Sequence, residues 1–159
     1  MEVNQDIVKL GELIHDALQD FVKNNTEVNH EIYSRSLEGG CAVASAFLVR
    51  AIRNQLRIKA DFVAAPGHAW VESNGIIYDP TAIQFDKYNA TPQERSPKCK
   101  TLLKSEATAY PYGEPETKRI WYINDCWPKG QRPSSFSIVW NNGVPLISWR
   151  ERVRKQRAA

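Results

Sequence analysis

The dipeptide Asn74-Gly75 constrains this fold more than any other local feature. It separates two apolar stretches, "HAWVE" at 68–72 and "IIYD" at 76–79. Asn-Gly is the preferred pair for a two-residue turn between antiparallel strands, because both of its residues accept a positive φ. The pattern therefore predicts a β-hairpin in which Ser73 pairs with Ile76.

That register places a histidine and an aspartate on the same face of the hairpin. His68 would lie opposite Thr81, and Trp70 opposite Asp79, and side chains alternate along a strand, so all four project from one face. Asp79 is then the diagonal neighbour of His68 on the adjacent strand, with about 7 Å between their backbone atoms. A carboxylate in this position holds an imidazole in one tautomer and stabilises its cation. The spacing predicts a hydrogen-bonded His68–Asp79 pair.

Upstream, Cys41 offers a nucleophile for this pair to activate. It follows Gly39 and Gly40 and opens the stretch "CAVASAFLVRAIRNQ" at 41–55, which reads as a helix packed inward on an apolar face. The first turn of a helix has free N–H groups and the positive end of the dipole, and both favour a thiolate. Cys41 is therefore a candidate nucleophile, although a cysteine at such a position also serves simple packing.

The remaining pattern predicts one α+β domain over residues 1–159, with N-terminal helices packed on an antiparallel sheet. Apolar residues at helical spacing predict a helix over 6–23 that ends at Asn24-Asn25. The polar stretch 86–118 reads as a long loop or insertion, with some helix near 101–109 and a role in substrate selectivity. "PLISWRERVRKQ" fits either a strand or a short terminal helix. Further strands are predicted at 57–65, 118–125 and 136–140.

Composition agrees with a globular chain of 159 residues that is 42% hydrophobic and 25% charged. No apolar run reaches the roughly 20 residues of a membrane span, and the N-terminus lacks the pattern of a secretory signal. The three cysteines are an odd number, which suits a reducing compartment better than a disulfide framework. A cytoplasmic location is the expectation.

Charge is unevenly distributed along the chain. Residues 1–94 carry 13 acidic and 8 basic side chains, whereas residues 95–159 carry 5 acidic and 13 basic ones. The basic C-terminal tail, residues 150–159, follows a region rich in aromatics. This tail could contact an acidic partner or be a solvated terminus. Nucleic-acid binding is the less favoured reading, because no recognised motif accompanies Trp121, Tyr122, Trp127, Trp140 and Trp149.

The cysteines do not indicate a metal site. Cys41, Cys99 and Cys126 are far apart in the sequence and form no C-x-x-C pair. Cys99 reads as a loop thiol and Cys126 as a turn or strand-end residue. We expect neither a metal nor a cofactor.

Together, "GGCAVASAFLVRAI" at 39–52 and "GHAWVESNGIIYDPTAIQF" at 67–85 resemble the transglutaminase-like superfamily of papain-like cysteine enzymes. The core motif region is 39–85. The resemblance implies a papain-like fold in which Cys41 is the nucleophile, His68 the base and Asp79 the residue that orients it. One departure concerns the oxyanion hole: papain-type enzymes place a glutamine a few residues before the cysteine, and residues 34–40 offer neither Gln nor Asn. The backbone N–H of Cys41 is one donor and the second is unassigned.

The resemblance implies acyl transfer through a thioester, on peptide or glutamine-type amide bonds of a protein or peptide substrate. With water as acceptor the enzyme would be a peptidase or deamidase, and with an amine it would be a transamidase. The alternative is a catalytically inactive relative that binds protein or nucleic acid through its basic, aromatic C-terminal third.

Overall fold

In the described residues, two α-helices and a four-stranded antiparallel sheet form the frame of the protein. The computed structural model describes residues 2–25, 40–65, 68–86, 95–109, 111–113 and 136–149. The helices are α1 (Gln5–Asn24) and α2 (Cys41–Ala51), and the strands are β1 (Asp61–Ala65), β2 (His68–Ser73), β3 (Ile76–Asp79), β4 (Lys100–Leu103), β5 (Phe136–Asn141) and β6 (Val144–Trp149). A helix, then mostly antiparallel strands, gives the α+β class that the sequence predicts.

Helix α1 confirms the predicted span to within a residue at each end. Asn4 caps its start, because the side-chain oxygen accepts hydrogen bonds from the backbone N–H of Asp6 and Ile7. Its apolar stripe is buried against α2, β3 and β6. The helix ends at Asn25, whose backbone leaves the helical region.

Helix α2 is shorter than the predicted helix over 41–55. Regular α-helical hydrogen bonding stops at Ala51, and the chain continues through a π-helical turn, Ile52–Leu56. Arg57 then takes a left-handed conformation with a φ of 58°, which ends the helix. The following strand is correspondingly shorter than the predicted 57–65 and begins at Asp61.

The sheet has the strand order β1-β2-β3-β4. Strands β2 and β3 pair with Ser73 opposite Ile76 and Val71 opposite Tyr78, which confirms the predicted hairpin register. Asn74 and Gly75 both have positive φ, at 51° and 75°, as a two-residue turn of this kind requires.

Strand β4 corrects the interpretation of the polar stretch 86–118. The predicted helix near 101–109 is wrong, because Lys100–Leu103 pairs with β3, with Leu102 opposite Ile77. A single 3₁₀ turn, Lys104–Glu106, follows. An open edge on β3 stabilises an extended chain more than local helix propensity does, so the region is partly built into the sheet and is not simply a loop.

Both faces of the sheet are covered. Alternate residues of β2 and β3, including Val71 and Tyr78, join the main core under the helices. The intervening residues face a smaller cluster on the opposite side, formed by Val63, Ala65, Trp70 and Ile77 with Leu102, Ala107 and Tyr112. His68 and Asp79 belong, by alternation, to this second face.

A separate two-stranded sheet is formed by β5 and β6, so the sequence "PLISW" is a strand and not a helix. Asn142 and Gly143 close it with φ values of 51° and 78°. Phe136 and Ile147 are buried in the main core, whereas Val139, Val144 and Leu146 are exposed.

None of the helices within the described ranges is long and apolar enough to cross a membrane. The predicted strand at 118–125, Trp121, Tyr122, Cys126, Trp127 and the tail at 150–159 lie outside the described residues.

Candidate active site

The predicted histidine–aspartate pair is formed at the end of the β2–β3 hairpin. His68 is the first residue of β2 and Asp79 the last residue of β3, so their side chains meet diagonally across the ladder. The distance from His68 Nε2 to Asp79 Oδ2 is 2.6 Å. Both side chains are completely buried, which strengthens their electrostatic interaction.

Cys41 reaches the same imidazole from the other layer of the fold. It is the first residue of α2, and its side chain forms a hydrogen bond with His68. Because Asp79 occupies Nε2, the nitrogen that remains for the sulfur is Nδ1. The structure thus places the three predicted site residues in one chain of contacts, in the order Cys41, His68, Asp79.

The start of α2 also supplies the donors expected near a reactive sulfur. Gly40 precedes Cys41, and its carbonyl accepts the first helical hydrogen bond, from Ala44 N at 3.0 Å. Gly40 has no side chain with which to cap the helix start. The N–H groups of the first turn have no partner inside the helix, so they and the dipole favour negative charge at Cys41.

Three further donors hold the Asp79 carboxylate. The backbone N–H of Thr81 donates to Oδ1 at 2.9 Å, and the Thr81 hydroxyl lies 3.3 Å from the same oxygen. The Tyr112 hydroxyl donates to Oδ2 at 2.5 Å. A carboxylate with this many donors is rigid and remains ionised, so it can orient His68 in a single way.

The pKa of His68 is raised and the pKa of Asp79 is lowered, as an ion pair between them requires. Burial alone would lower the pKa of His68, but the charge and hydrogen bond of Asp79, together with Cys41, raise it to about 9. Burial alone would raise the pKa of Asp79, but His68, Tyr112 and the Thr81 N–H outweigh this and lower it. The imidazolium–carboxylate pair is therefore the stable form near neutral pH.

Aromatic rings enclose the imidazole. Phe85 meets it edge-on with ring centroids 4.6 Å apart, and Tyr112 does so at 6.0 Å. Trp70 lies 5.8 Å away. These rings exclude water from His68 and hold its imidazole ring in one orientation.

Gln84 is a further polar neighbour of His68. It lies on the 3₁₀ turn Ala82–Phe85, and its Nε2 is 3.0 Å from His68 Nδ1. The same nitrogen is 3.2 Å from the carbonyl of Thr81. Thr81 does bind Asp79, in agreement with the proximity expected from the sequence.

Helix α1 supports the site through His15. This buried side chain donates from Nδ1 to the carbonyl of Pro80 over 2.8 Å. Pro80 lies between Asp79 and Thr81, so the contact fixes the turn that carries the carboxylate and its Thr81 donor. The sequence places His15 in the predicted helix over 6–23 but does not indicate this contact, because the partner is 65 residues away.

The other cysteine of the described residues, Cys99, lies in the bend just before β4, so it is a loop thiol as the sequence suggests, but it is buried. Its sulfur packs so closely on Gly11 of α1 that an added Cβ there would overlap with it. Burial, and then the charge of Asp79, raise its pKa far above the usual range of a thiol. Cys99 is therefore a poor nucleophile compared with Cys41.

Ser45 lies one turn after Cys41 on α2 and is fully buried, and its hydroxyl makes no hydrogen bond in the described part of the chain. This agrees with a small residue selected for helix packing. Across the described ranges, no group of three His, Cys, Asp or Glu side chains could hold a metal ion.

No family model matches this chain, and neither the search of curated proteins nor the search of solved structures gave a significant match. A thiol, a base that can take its proton, and a buried carboxylate that orients the base are the components of nucleophilic catalysis by cysteine.

Proposed function

We propose that this protein is a cysteine-dependent acyl-transfer enzyme with a papain- or transglutaminase-like fold, acting on peptide or glutamine-type amide bonds. The observation that carries the proposal is the bridging position of His68. One imidazole binds Asp79 through Nε2 and Cys41 through its other side, in a buried site. Both nitrogens of a buried imidazole need polar partners, and here those partners include an acid and a thiol at a helix N-terminus.

The first half-reaction follows from these contacts. Cys41 passes its thiol proton to His68, and the thiolate attacks the carbonyl carbon of the amide. The backbone N–H of Cys41 donates to the oxyanion that forms. His68 then gives the proton to the departing amine, the C–N bond breaks, and the acyl group stays on Cys41 as a thioester.

The second half-reaction decides the product. His68 takes a proton from water or from a primary amine, which attacks the thioester and releases Cys41. Water gives hydrolysis of a peptide bond or deamidation of glutamine, and an amine gives transamidation. Asp79 stays ionised throughout and stabilises the imidazolium in each half.

The substrate of this enzyme would be a protein or peptide, and its site of action the cytoplasm. Tyr112 comes from the polar stretch 86–118 and touches Asp79, so part of that stretch belongs to the site. We infer that residues of this stretch contribute to substrate selection. The basic tail at 150–159 would supply a contact for an acidic partner.

A panel of unstructured peptides that contain glutamine tests the proposal, with and without a primary amine. Mass spectrometry separates cleavage, deamidation and amine incorporation. We expect one of these in the parent and in Cys99→Ala, which removes a buried thiol away from His68, and none in Cys41→Ala. Turnover that survives Cys41→Ala would refute the role of Cys41.

A further inference from the structure

We propose that Gln84 is a positioning residue that competes with the Cys41 thiol for the Nδ1 lone pair of His68. When His68 is neutral, the Gln84 amide N–H is donated to this lone pair, and this contact is lost when the Cys41 proton is transferred to Nδ1. The inference rests on the proposed function and adds to it a group that sets how much of Cys41 is activated.

The orientation of the Gln84 amide follows from its second partner. The Nε2 atom faces the backbone carbonyl of Thr81 at 3.2 Å. A carbonyl oxygen only accepts hydrogen bonds, so an amide oxygen in this position would be repelled. The group that Gln84 presents to His68 Nδ1, 3.0 Å away, is therefore an N–H donor.

A donor at Nδ1 defines the tautomer of the neutral imidazole. Nδ1 must present its lone pair to Gln84, so the ring proton of neutral His68 is on Nε2 and is donated to Asp79. This is the tautomer that a general base for Cys41 needs. Gln84 thus prepares His68 for proton transfer while it occupies the acceptor.

The two donors cannot both use one lone pair. When the thiol S–H bond breaks and an N–H bond forms at Nδ1, the products are a thiolate and an imidazolium. The new Nδ1–H then faces the Gln84 N–H, donor against donor, and the amide loses this hydrogen bond. Gln84 therefore stabilises the thiol form relative to the ion pair.

The other groups around His68 are compatible with this assignment. Cys41 approaches from α2, Asp79 from β3 and Tyr112 from the 111–113 turn. Asp79 raises the pKa of His68 and so opposes Gln84, and the rings of Phe85 and Trp70 carry no charge. Cys99 interacts with Asp79 and not with Nδ1.

The test uses Gln84→Leu, which removes the donor and keeps most of the side-chain volume at a position only 5% exposed. Gln84→Met has the same purpose with a longer, more adaptable side chain, should the leucine variant fail to fold. Gln55→Leu, on the exposed π-helical turn, is the matched control. For each protein, the rate of Cys41 alkylation by iodoacetamide is measured against pH, and ¹⁵N NMR reports the protonation of His68 Nδ1.

Loss of a hydrogen bond worth about 1 kcal/mol corresponds to a roughly fivefold change in equilibrium. We therefore expect Gln84→Leu or Gln84→Met to raise the rate of alkylation by up to about fivefold on the plateau between about pH 6 and 9, and to leave the rate at lower pH unchanged, because His68 is a cation there with or without Gln84. Nδ1 of His68 should become protonated to a greater extent in these variants than in the parent. Gln55→Leu should match the parent in both measurements.

An unchanged or slower alkylation in both Gln84 variants would overturn the role of Gln84. If the parent reaction still depended on His68, the proposed function would survive that result. If Cys41 instead reacted like an ordinary thiol in every variant and His68→Ala changed nothing, both proposals would fall.

Discussion

The β2–β3 and β5–β6 hairpins are closed by the same dipeptide, yet their strands differ in how deeply they are buried. Asn74-Gly75 and Asn142-Gly143 have almost the same φ values, and each dipeptide joins strands that pair without a bulge. In the first hairpin, β3 is buried along its whole length. In the second, Val139, Val144 and Leu146 face solvent.

The comparison separates what a turn determines from what packing determines. Each Asn-Gly turn fixes a register, and the register decides which side chains share a face. In the described residues, the first hairpin lies between two layers, with α2 packed on one face and Ala107 and Tyr112 packed on the other. The reactivity proposed for His68 thus depends on its burial, because Asp79 can raise the pKa of His68 this far only where water is excluded.

The largest effect is expected from Asp79→Asn in the buried hairpin. The amide cannot stabilise the imidazolium and can favour the wrong tautomer of His68, so turnover should fall by about 10²–10⁴-fold. The pKa of His68 should also fall, since Asp79 is what raises it. Peptide turnover and NMR titration of His68 measure the two effects.

The control for this change is Asp61→Asn on β1. Asp61 is about half exposed and its side chain lies 3.8 Å from Arg53. We expect no measurable change in turnover. A similar loss in both variants would mean that net charge, and not the His68 contact, is what matters.

The next largest effect is on stability, and it compares a buried residue of the first hairpin with an exposed residue of the second. Ile77 is 1% exposed and Leu146 is 68% exposed. Ile77→Ala should lower the free energy of unfolding by about 2–5 kcal/mol, and Leu146→Ala by less than about 0.5 kcal/mol. Urea denaturation measures both. Comparable losses would indicate that the exposed face of β5–β6 is covered in solution.

The smallest expected effect compares the turns themselves. Gly75→Ala and Gly143→Ala each place a Cβ at a φ near 75–78°, which costs about 1–2 kcal/mol. The two losses of stability should therefore be similar. Only Gly75→Ala should also slow alkylation of Cys41, because its strands carry His68 and Asp79. Slowing by Gly143→Ala would show that the second hairpin is coupled to the site.

The parts of the site that could be predicted from sequence are those built by short-range rules. A turn dipeptide and strand alternation place His68 and Asp79 together, and two glycines before an apolar run place Cys41 at a helix start. The register follows because the turn and strand residues are neighbours in sequence. Whether these residues catalyse a reaction is a separate matter that remains a prediction.

The parts that could not be predicted depend on contacts between distant segments. Tyr112 reaches Asp79 across 33 residues and His15 reaches Pro80 across 65 residues. Strand β4 forms because β3 has a free edge, and no local pattern in Lys100–Leu103 shows this. Gln84 was close in sequence to Asp79, but only the 3₁₀ turn directs its amide to His68.

The central claim, that His68 and Asp79 activate Cys41, is tested most directly by the alkylation rate of Cys41 against pH in the parent and in His68→Ala. Since the pKa of His68 is raised to about 9, its cation persists up to that pH and can pair with the thiolate. The account predicts a fast, nearly flat rate between about pH 6 and 9 in the parent. In His68→Ala the rate should be slow and rise only near the ordinary thiol pKa of about 8.5. A parent profile identical to that of His68→Ala would show that His68 does not activate Cys41.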